Sequence, residues 1–283
     1  MKKEMIVVSI VVYNKKIEES ITYKRVKNIS RPNIRILVVD NSEIDFGNKE
    51  YCKENVIEYI SMCGNKGLSK AYNVVIENCK QQNIDVIVLS DDDTEITEEY
   101  FDELDKALFD KATTDIFAPI IYGQDGVIYS PNEFNFVKNH FISSPEQEVS
   151  QERFNAIASC LAIRMRVFDD YLFNELLFID QVDQFFFCEQ RKRGKIFGKL
   201  DVKIQQNFYQ RGSTLTYDAG WKRLRLRIVD IIRHARLMGD KKYLALGYIK
   251  CCGLGIQIGK KTKSPSIWIK SVGLATKALI YRL

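Results

Sequence analysis

Histidine and paired cysteines are scarce in this sequence. It contains two histidines, His140 and His234, and seven cysteines that include no C-x-x-C pair. We therefore expect neither a structural zinc site nor a disulfide framework. Catalysis by a cysteine nucleophile with a histidine base is poorly supported for the same reason. These absences indicate reduced thiols in a cytoplasmic protein.

Long hydrophobic runs are also missing. No run approaches the roughly 20 apolar residues that a membrane span requires. The first apolar stretch, Met5 to Tyr13, has no small-residue cleavage site and is rich in β-branched residues. This composition favours a buried strand over a signal peptide. Because 46% of the residues are hydrophobic, we expect a sizeable core in a soluble or peripheral protein.

Acidic residues are rare in the last part of the chain. Residues 201–283 contain 17 Lys and Arg against 4 Asp and Glu, so their net charge is +13, whereas residues 1–200 carry −8. The formal charge of +5 hides this division. The basic part predicts attachment to an anionic membrane surface. We expect no nucleic-acid binding, because the basic residues lack regularly interleaved aromatic residues.

Short apolar runs alternate with helical patterns in the first half of the chain. The predicted helices are Leu68 to Lys80 and Glu98 to Lys111, and Thr97 is the predicted N-cap of the second. This alternation predicts an α/β fold with a mainly parallel sheet flanked by helices. The predicted strands are Met5 to Tyr13, Ile34 to Val39, Val56 to Ile60, Val86 to Leu89 and Ile116 to Ile121.

The second half has a different organisation. Tyr122 to Glu152 reads as a loop-rich insertion, and Val182 to Arg193 reads as a helix. Trp221 to Met238 carries apolar residues on one face and basic residues around the rest. We therefore predict a domain at residues 1–215 and a basic amphipathic helical tail at residues 216–283. The tail packs on the domain, lies on a membrane surface, or does both.

Three carboxylates follow the apolar run Val86 to Leu89 almost directly. Asp91 and Asp93 are two residues apart, so they lie on the same side of an extended segment, with Asp92 between them. An apolar strand that ends in acids delivers hard oxygen ligands to the carboxyl edge of a sheet. This context favours a site for a metal and a diphosphate. The alternative is a solvated acidic turn before the next helix.

Other strand ends and turns carry polar residues as well. Tyr13 ends the first predicted strand and Asp40 the second, where an aromatic face and a carboxylate could hold a nucleotide base. The turn from Gly64 through Lys66 to Gly67 leads into a helix. For each of these residues, ordinary turn or strand-end chemistry is the alternative.

Five motifs occur in a characteristic order. V-S-I-V-V-Y-N, V-V-D-N-S, G-N-K-G-L-S-K-A-Y-N and L-S-D-D-D-T fall within the first 120 residues, and F-I-D-Q-V-D spans Phe178 to Asp183. In these motifs the sequence resembles family 2 glycosyltransferases, which have the Rossmann-like GT-A fold. The last motif resembles the rhamnosyltransferase-like branch of that family. The resemblance extends to about residue 210.

The resemblance implies a donor site for a nucleoside diphosphate sugar. Asp93 would coordinate Mg²⁺ or Mn²⁺, and Asp91 would contact the ribose or the metal. The leading donor is dTDP-rhamnose, and a UDP-hexose is the alternative. Tyr13 and Asp40 would hold the base, and the other residues implied at the donor are Gly64, Lys66, Gly67 and Asp92.

The resemblance also implies inversion, which needs one carboxylate as general base. Asp183 is the first choice and Asp180 the second, and the two would share a helix face if the helix began at Asp180. The implied acceptor is a growing cell-surface polysaccharide or a polyprenyl-linked glycan. An enzyme acting on such an acceptor would work at the inner face of the cell membrane, held there by residues 221–283.

Two departures from the family pattern stand out. Gln184, Phe185 and Phe186 follow the predicted base where relatives usually show a tryptophan and then an arginine, and Gln206 stands where relatives commonly present a histidine. Two other classes of protein remain as alternatives. One is a sugar-phosphate nucleotidyltransferase, although the first strand lacks the expected glycine-rich loop, and the other is a lipid-binding protein acting through the tail.

Overall fold

The predicted alternation of strands and helices is present in a computed structural model, which describes residues 3–206 and 215–281. The strands of this part of the chain are β1 (Ile6–Val12), β2 (Ile34–Asp40), β3 (Glu58–Ser61), β4 (Val86–Ser90), β5 (Ile116–Tyr122), β6 (Ile128–Ser130), β7 (Asn132–Phe134), β8 (Asn139–Phe141), β9 (Phe154–Asn155), β10 (Leu161–Arg164) and β11 (Phe197–Gln205). The α-helices are α1 (Ile21–Lys27), α2 (Asn48–Glu54), α3 (Leu68–Gln81), α4 (Glu98–Asp110), α5 (Val182–Lys192), α6 (Tyr217–Leu237), α7 (Lys241–Lys261) and α8 (Ser266–Tyr281).

Eight of the eleven strands within residues 3–206 form one main sheet. Seven of them follow the order β11-β5-β10-β4-β1-β2-β3, and β6 pairs with β5. Strands β1, β2, β3 and β4 run parallel, as do β5 and β11, whereas β10 runs antiparallel between β4 and β5. The predicted α/β fold with a mainly parallel sheet is therefore confirmed.

The topology brings distant residues to one edge of this sheet. Because β1, β2 and β4 are parallel neighbours, the residues that follow them meet at their carboxyl ends. The amino end of the antiparallel β10 reaches the same edge, since Leu161 pairs with Leu89. The end of β11 arrives there too, through an isolated bridge between Thr94 and Gln206.

Hydrophobic cores cover both faces of the sheet. Alternate residues of β1 and β4 enter opposite clusters, as the twofold repeat of a strand requires. Helices α3 and α5 pack on one face, where Phe186 and Phe187 are fully buried, and α1 and α4 pack on the other. The predicted N-cap Thr97 is confirmed, since its side chain accepts a hydrogen bond from the backbone of Tyr100.

Two local features add detail to the predictions. The predicted loop-rich region from Tyr122 to Glu152 also contains short strands, and β7 and β8 in it join β9 in a separate three-stranded sheet. Helix α5 begins at Val182, after Gln181 in a left-handed conformation (φ 62°). Asp180 therefore lies before the helix and does not share a helix face with Asp183.

The C-terminal helices α6, α7 and α8 pack together around a core of their own, which includes Ile228, Ile231 and Ile267. Helix α6 also contacts the loop before α5 through Asp230. No helix within residues 3–206 and 215–281 is long and apolar enough to cross a membrane.

Candidate active site

The acidic loop after β4 is fixed by helix α1. The hydroxyl of Thr22 donates to the carbonyl of Asp91 at 2.5 Å and accepts the N–H of Thr94 at 3.0 Å. Ser20, the N-cap of α1, donates to the carbonyl of Asp92 at 2.9 Å. Because these bonds engage the backbone of the loop, its carboxylates remain free for other partners.

Two of the three carboxylates share one amide. Gln206 Nε2 lies 3.3 Å from Asp91 Oδ2 and 3.1 Å from Asp93 Oδ1, and Ser159 Oγ donates to Asp91 Oδ2 at 2.7 Å. Asp92 instead forms an ion pair of 2.5 Å with Lys15. Thus Asp91 and Asp93 face the end of β11, as their two-residue spacing predicts, and Asp92 faces the loop after β1.

Asp91 and Asp93 hold their protons more tightly than usual, since the pKa of each is raised. Burial raises the pKa of Asp91, and the Ser159 hydrogen bond partly opposes it. Burial and the charges of Asp91 and Asp92 raise the pKa of Asp93 to about 6. A divalent cation would relieve this repulsion between like charges.

Asp183 belongs to the same cluster although it lies about 90 residues further along the chain. It stands in the first turn of α5. Burial, and next the charge of Asp91, raise its pKa to about 7, against the effect of a hydrogen bond from the backbone of Ala158. A carboxylate with a pKa near neutrality is suited to accept a proton.

Asp180 has different surroundings. Its Oδ2 lies 3.3 Å from Arg227 Nε and 3.9 Å from Arg223 Nη2, and its Oδ1 accepts from Gln181 Nε2 at 2.6 Å. Two guanidinium groups and an amide already contact its oxygens, so less of this carboxylate is available to an acceptor hydroxyl. Of the two candidates, Asp183 therefore has the environment that a general base needs.

Helix α6 fixes the loop that leads to Asp183. Asp230, which is 1% exposed, accepts hydrogen bonds from the backbone N–H groups of Phe178, Ile179 and Asp180 at 2.9–3.1 Å. Burial raises the pKa of Asp230 although these three donors lower it. The carboxylate of Asp230 thus fixes the backbone from Phe178 to Asp180.

The glycine-flanked turn meets the same segment. Gly67 has φ +89°, and a Cβ there would lie 2.6 Å from the carbonyl oxygen of Phe178. That carbonyl accepts the N–H of Leu68 at 2.6 Å. Gly64 also has positive φ (+108°), whereas the exposed Lys66 is fixed through its backbone N–H, which donates to Asn41 Oδ1 at 2.8 Å.

The predicted base-binding residues lie at the ends of β1 and β2. Tyr13 is 41% exposed, so its ring is accessible, and its hydroxyl donates to Glu43 at 3.2 Å. Asp40 is 5% exposed and already accepts hydrogen bonds from the backbone of Ser42 and the side chains of Asn48 and Tyr59. A direct contact between Asp40 and a base stays a prediction. Through these hydrogen bonds Asp40 also holds Ser42, Asn48 and Tyr59 in place.

The cluster fits a divalent cation in its chemistry. No group of three or more His, Cys, Asp or Glu side chains that could hold a metal ion occurs within the described residues 3–206 and 215–281. Asp91 and Asp93 nevertheless offer carboxylate oxygens, and Gln206 Oε1 is buried without a hydrogen-bond partner there. Hard oxygen donors suit Mg²⁺ or Mn²⁺, which commonly complete their coordination with phosphate oxygens and water.

The roles of Ser159, Arg227 and Asp230 at this site do not follow from sequence patterns. A signal for Asp230 exists, since it is the only acid between residues 219 and 239 and stands next to apolar positions of the helix. An isolated acid in such a position points to buried backbone donors as its partners.

A mainly parallel sheet with carboxylates at its carboxyl edge is the arrangement of the GT-A fold. The model of the family described as glycosyl transferase family 2 matches residues 7–172, more than half of the chain. The chain therefore belongs to glycosyltransferase family 2. No curated protein gives a significant match.

Solved structures give the same fold. Mannosyltransferase PcManGT from Pyrobaculum calidifontis, in complex with GDP-Man and Mn²⁺, aligns over 100% of this chain and 89% of its own, with a TM-score of 0.59 and 12% identity. S. aureus TarS (residues 1–349), in complex with UDP-GlcNAc, aligns over 98% of this chain and 82% of its own, with a TM-score of 0.54 and 16% identity. At these identities the likeness shows the GT-A fold alone.

Proposed function

We propose that the protein is an inverting, metal-dependent glycosyltransferase that moves a sugar from a nucleoside diphosphate to a hydroxyl of a lipid-linked or growing surface polysaccharide. The observation that carries this proposal is the convergence of Asp91, Asp93 and Asp183 at one edge of the sheet. Each of these residues is partly buried, and burial together with the charge of a neighbouring aspartate raises its pKa. Partly buried carboxylates that repel one another in this position are typical of a reaction centre.

The residues divide between two tasks. Asp183 accepts the proton of the acceptor hydroxyl as that oxygen attacks the anomeric carbon. Asp91 and Asp93 would hold a Mg²⁺ or Mn²⁺ ion, which supplies positive charge against the departing diphosphate. Ser159 and Gln206 orient the two metal-binding carboxylates through their hydrogen bonds.

The donor is a finer proposal. The F-I-D-Q-V-D segment from Phe178 to Asp183 favours dTDP-rhamnose, by its resemblance to the rhamnosyltransferase-like branch, and a UDP-hexose is the alternative. Structural neighbours were solved with UDP-GlcNAc and with GDP-Man. The affinity of the protein for dTDP and for UDP therefore tests which of the two nucleotides the donor carries.

Calorimetric titration of dTDP and UDP into the purified protein tests the donor site. With Mn²⁺ we expect binding of one of them, and we expect EDTA or the Asp93→Asn variant to weaken it by at least about tenfold, because the diphosphate then loses its cation. Asp110→Asn, the same change on an exposed residue of α4, is the matched control. Equal affinity in Mn²⁺ and in EDTA would contradict the metal proposal, and no binding of either nucleotide would contradict the transferase proposal.

We also propose that helices α7 and α8 attach the enzyme to the inner face of an anionic membrane. Two glycines of α7 face inward, since Gly247 lies against Ala235 and Gly255 against Ser271. Large apolar residues remain outside: Ile249, Ile269 and Ile280 are 64–67% exposed. Residues 241–283 contain eight lysines, one arginine and no acid. Exposed apolar residues among cations are suited to a membrane interface with anionic lipids.

Flotation with lipid vesicles tests this attachment. We expect binding to vesicles with anionic lipid and not to neutral ones, and weaker binding at high salt, because the lysines act electrostatically. Ile269 and Ile280 are three helical turns apart and lie on one side of α8. Replacing both by serine should reduce binding about tenfold, whereas Phe109→Ser, which changes an exposed residue of α4, should not. Equal losses in both variants would contradict the assignment.

A further inference from the structure

Helix α6 presents two arginines beside the reaction centre. Arg223 and Arg227 are one helical turn apart and point to the same carboxylate, that of Asp180. Their side chains are 36% and 38% exposed, whereas the side chain of Asp180 is 12% exposed. The guanidinium groups therefore stand between a buried anion and the solvent.

The hydrogen-bonding capacity of these arginines is poorly used. Arg227 Nε is buried and has no hydrogen-bond partner in the described part of the chain, although it lies 3.3 Å from Asp180. Arg223 approaches the same carboxylate only to 3.9 Å. A guanidinium carries several N–H donors in a planar fork, and one carboxylate shared at these distances satisfies few of them.

The local charge balance is positive. Lys250 lies close by, bonded to the carbonyl of Phe136 at 2.9 Å, and burial and the charge of Arg227 lower its pKa to about 8. Asp230, an acid on the same helix, is occupied by three backbone N–H groups and lies 3.6 Å from Arg233. Asp180 thus offsets only part of the charge of this cluster.

The cluster also reaches the reaction centre. The positive charge of Arg223 lowers the pKa of Asp91, which places the two groups within electrostatic range of each other. Asp180 is three residues from the proposed base Asp183 and affects the pKa of that residue. The arginines therefore lie beside the loop that leads to the proposed base Asp183.

We propose that Arg223 and Arg227 form a subsite for a phosphate group of the acceptor. Two forked cations one helical turn apart match the oxygens of a phosphate ester or diester, and an anionic group would satisfy the donors that Asp180 leaves free. The diphosphate of the donor is assigned to the Asp91 and Asp93 edge, whereas this cluster lies beside the base. The inference rests on the proposed function and adds that the acceptor carries phosphate near the hydroxyl that is glycosylated.

Titration of the full chain with inorganic phosphate in EDTA, followed by phosphorus NMR, tests the subsite. We expect Arg223→Gln and Arg227→Gln each to weaken phosphate binding about tenfold, the usual effect of losing a charge-assisted hydrogen bond. Arg225→Gln changes an exposed arginine of the same helix and should change binding less than about twofold. Asp180→Asn should strengthen binding, because it removes the competing carboxylate. Arg227→Lys keeps the charge and should retain more binding than the glutamine variant.

Titration of the same variants with UDP or dTDP and Mn²⁺ separates the two sources of phosphate. Unchanged nucleotide affinity supports an acceptor subsite, whereas a parallel loss of nucleotide affinity assigns the arginines to the donor and overturns the proposal. Loss of phosphate binding in Arg225→Gln to the same extent would also overturn it, since the effect would then be unspecific. If the wild-type protein binds phosphate at these arginines but no nucleotide, the proposed function fails while the anion site stands.

Discussion

Replacing Asp183 by asparagine should lower the rate of sugar transfer about a thousandfold, because an amide cannot accept the proton of the acceptor hydroxyl. Donor binding should persist, since Asp91 and Asp93 are unchanged. The measurement is the transfer rate with the donor that calorimetry identifies. Asp180→Asn is the companion variant: a larger loss there than in Asp183→Asn would reverse the assignment of the base.

The pH dependence of the wild-type activity should also reflect the ionisation of Asp183. The pKa of Asp183 in the free protein is about 7, and only the ionised form accepts a proton. The specificity constant kcat/KM should therefore fall as pH decreases through about 7, and this descending limb should be absent in the residual activity of Asp183→Asn. A limb at the same pH in that variant would show that another group is responsible.

The stability of the folded protein tests the ionisation of Asp183 independently of activity. Its pKa is raised above the usual 3.8, so the protonated carboxyl contributes stability below pH 4 that is lost as pH rises through about 7. Asp183→Asn should thus be more stable than the wild type at pH 8, by about 2 kcal/mol, and should lose this advantage at pH 4. Chemical unfolding at the two pH values measures both differences. Lower stability of the variant at pH 8 would mean that the carboxylate has a structural role.

The sequence predicts the parts of this site that depend on local pattern. Strand β4 is continuous and apolar, so the position of Asp91 and Asp93 at its end follows from hydrophobicity alone. The role of Gln206 was partly visible, because it replaces a histidine common in relatives. The structure places its amide between the two aspartates.

Contacts between distant segments were not predictable in the same way. The bonds from Asp230 to the F-I-D segment join residues about 50 positions apart, and helical periodicity describes α6 without indicating what it packs on. The partners of Asp40 likewise depend on how α2 and β3 pack beside β2. The small sheet of β7, β8 and β9 was missed because strands of two or three residues are too short to show alternation.

Replacing Asp230 by alanine should have the largest effect on stability, because it leaves three partly buried backbone N–H groups without their acceptor. An unsatisfied buried donor costs about 1–3 kcal/mol, so we expect a loss of about 3 kcal/mol after partial relaxation. Unfolding in urea measures it. Asp218→Ala removes an exposed acid from the first turn of the same helix and should cost less than about 1 kcal/mol.

The same variant should reduce activity beyond its effect on folding. Asp230 fixes the segment from Phe178 to Asp180, and the carbonyl of Phe178 accepts the N–H of Leu68 at the start of α3. Loosening this segment displaces the loop before Asp183 and the glycine turn at Gly67 together, and small displacements of reacting groups are costly in rate. Asp230→Asn keeps one acceptor oxygen and should fall between wild type and alanine in both measurements. Full activity in a folded Asp230→Ala protein would contradict the view that α6 is part of the catalytic unit.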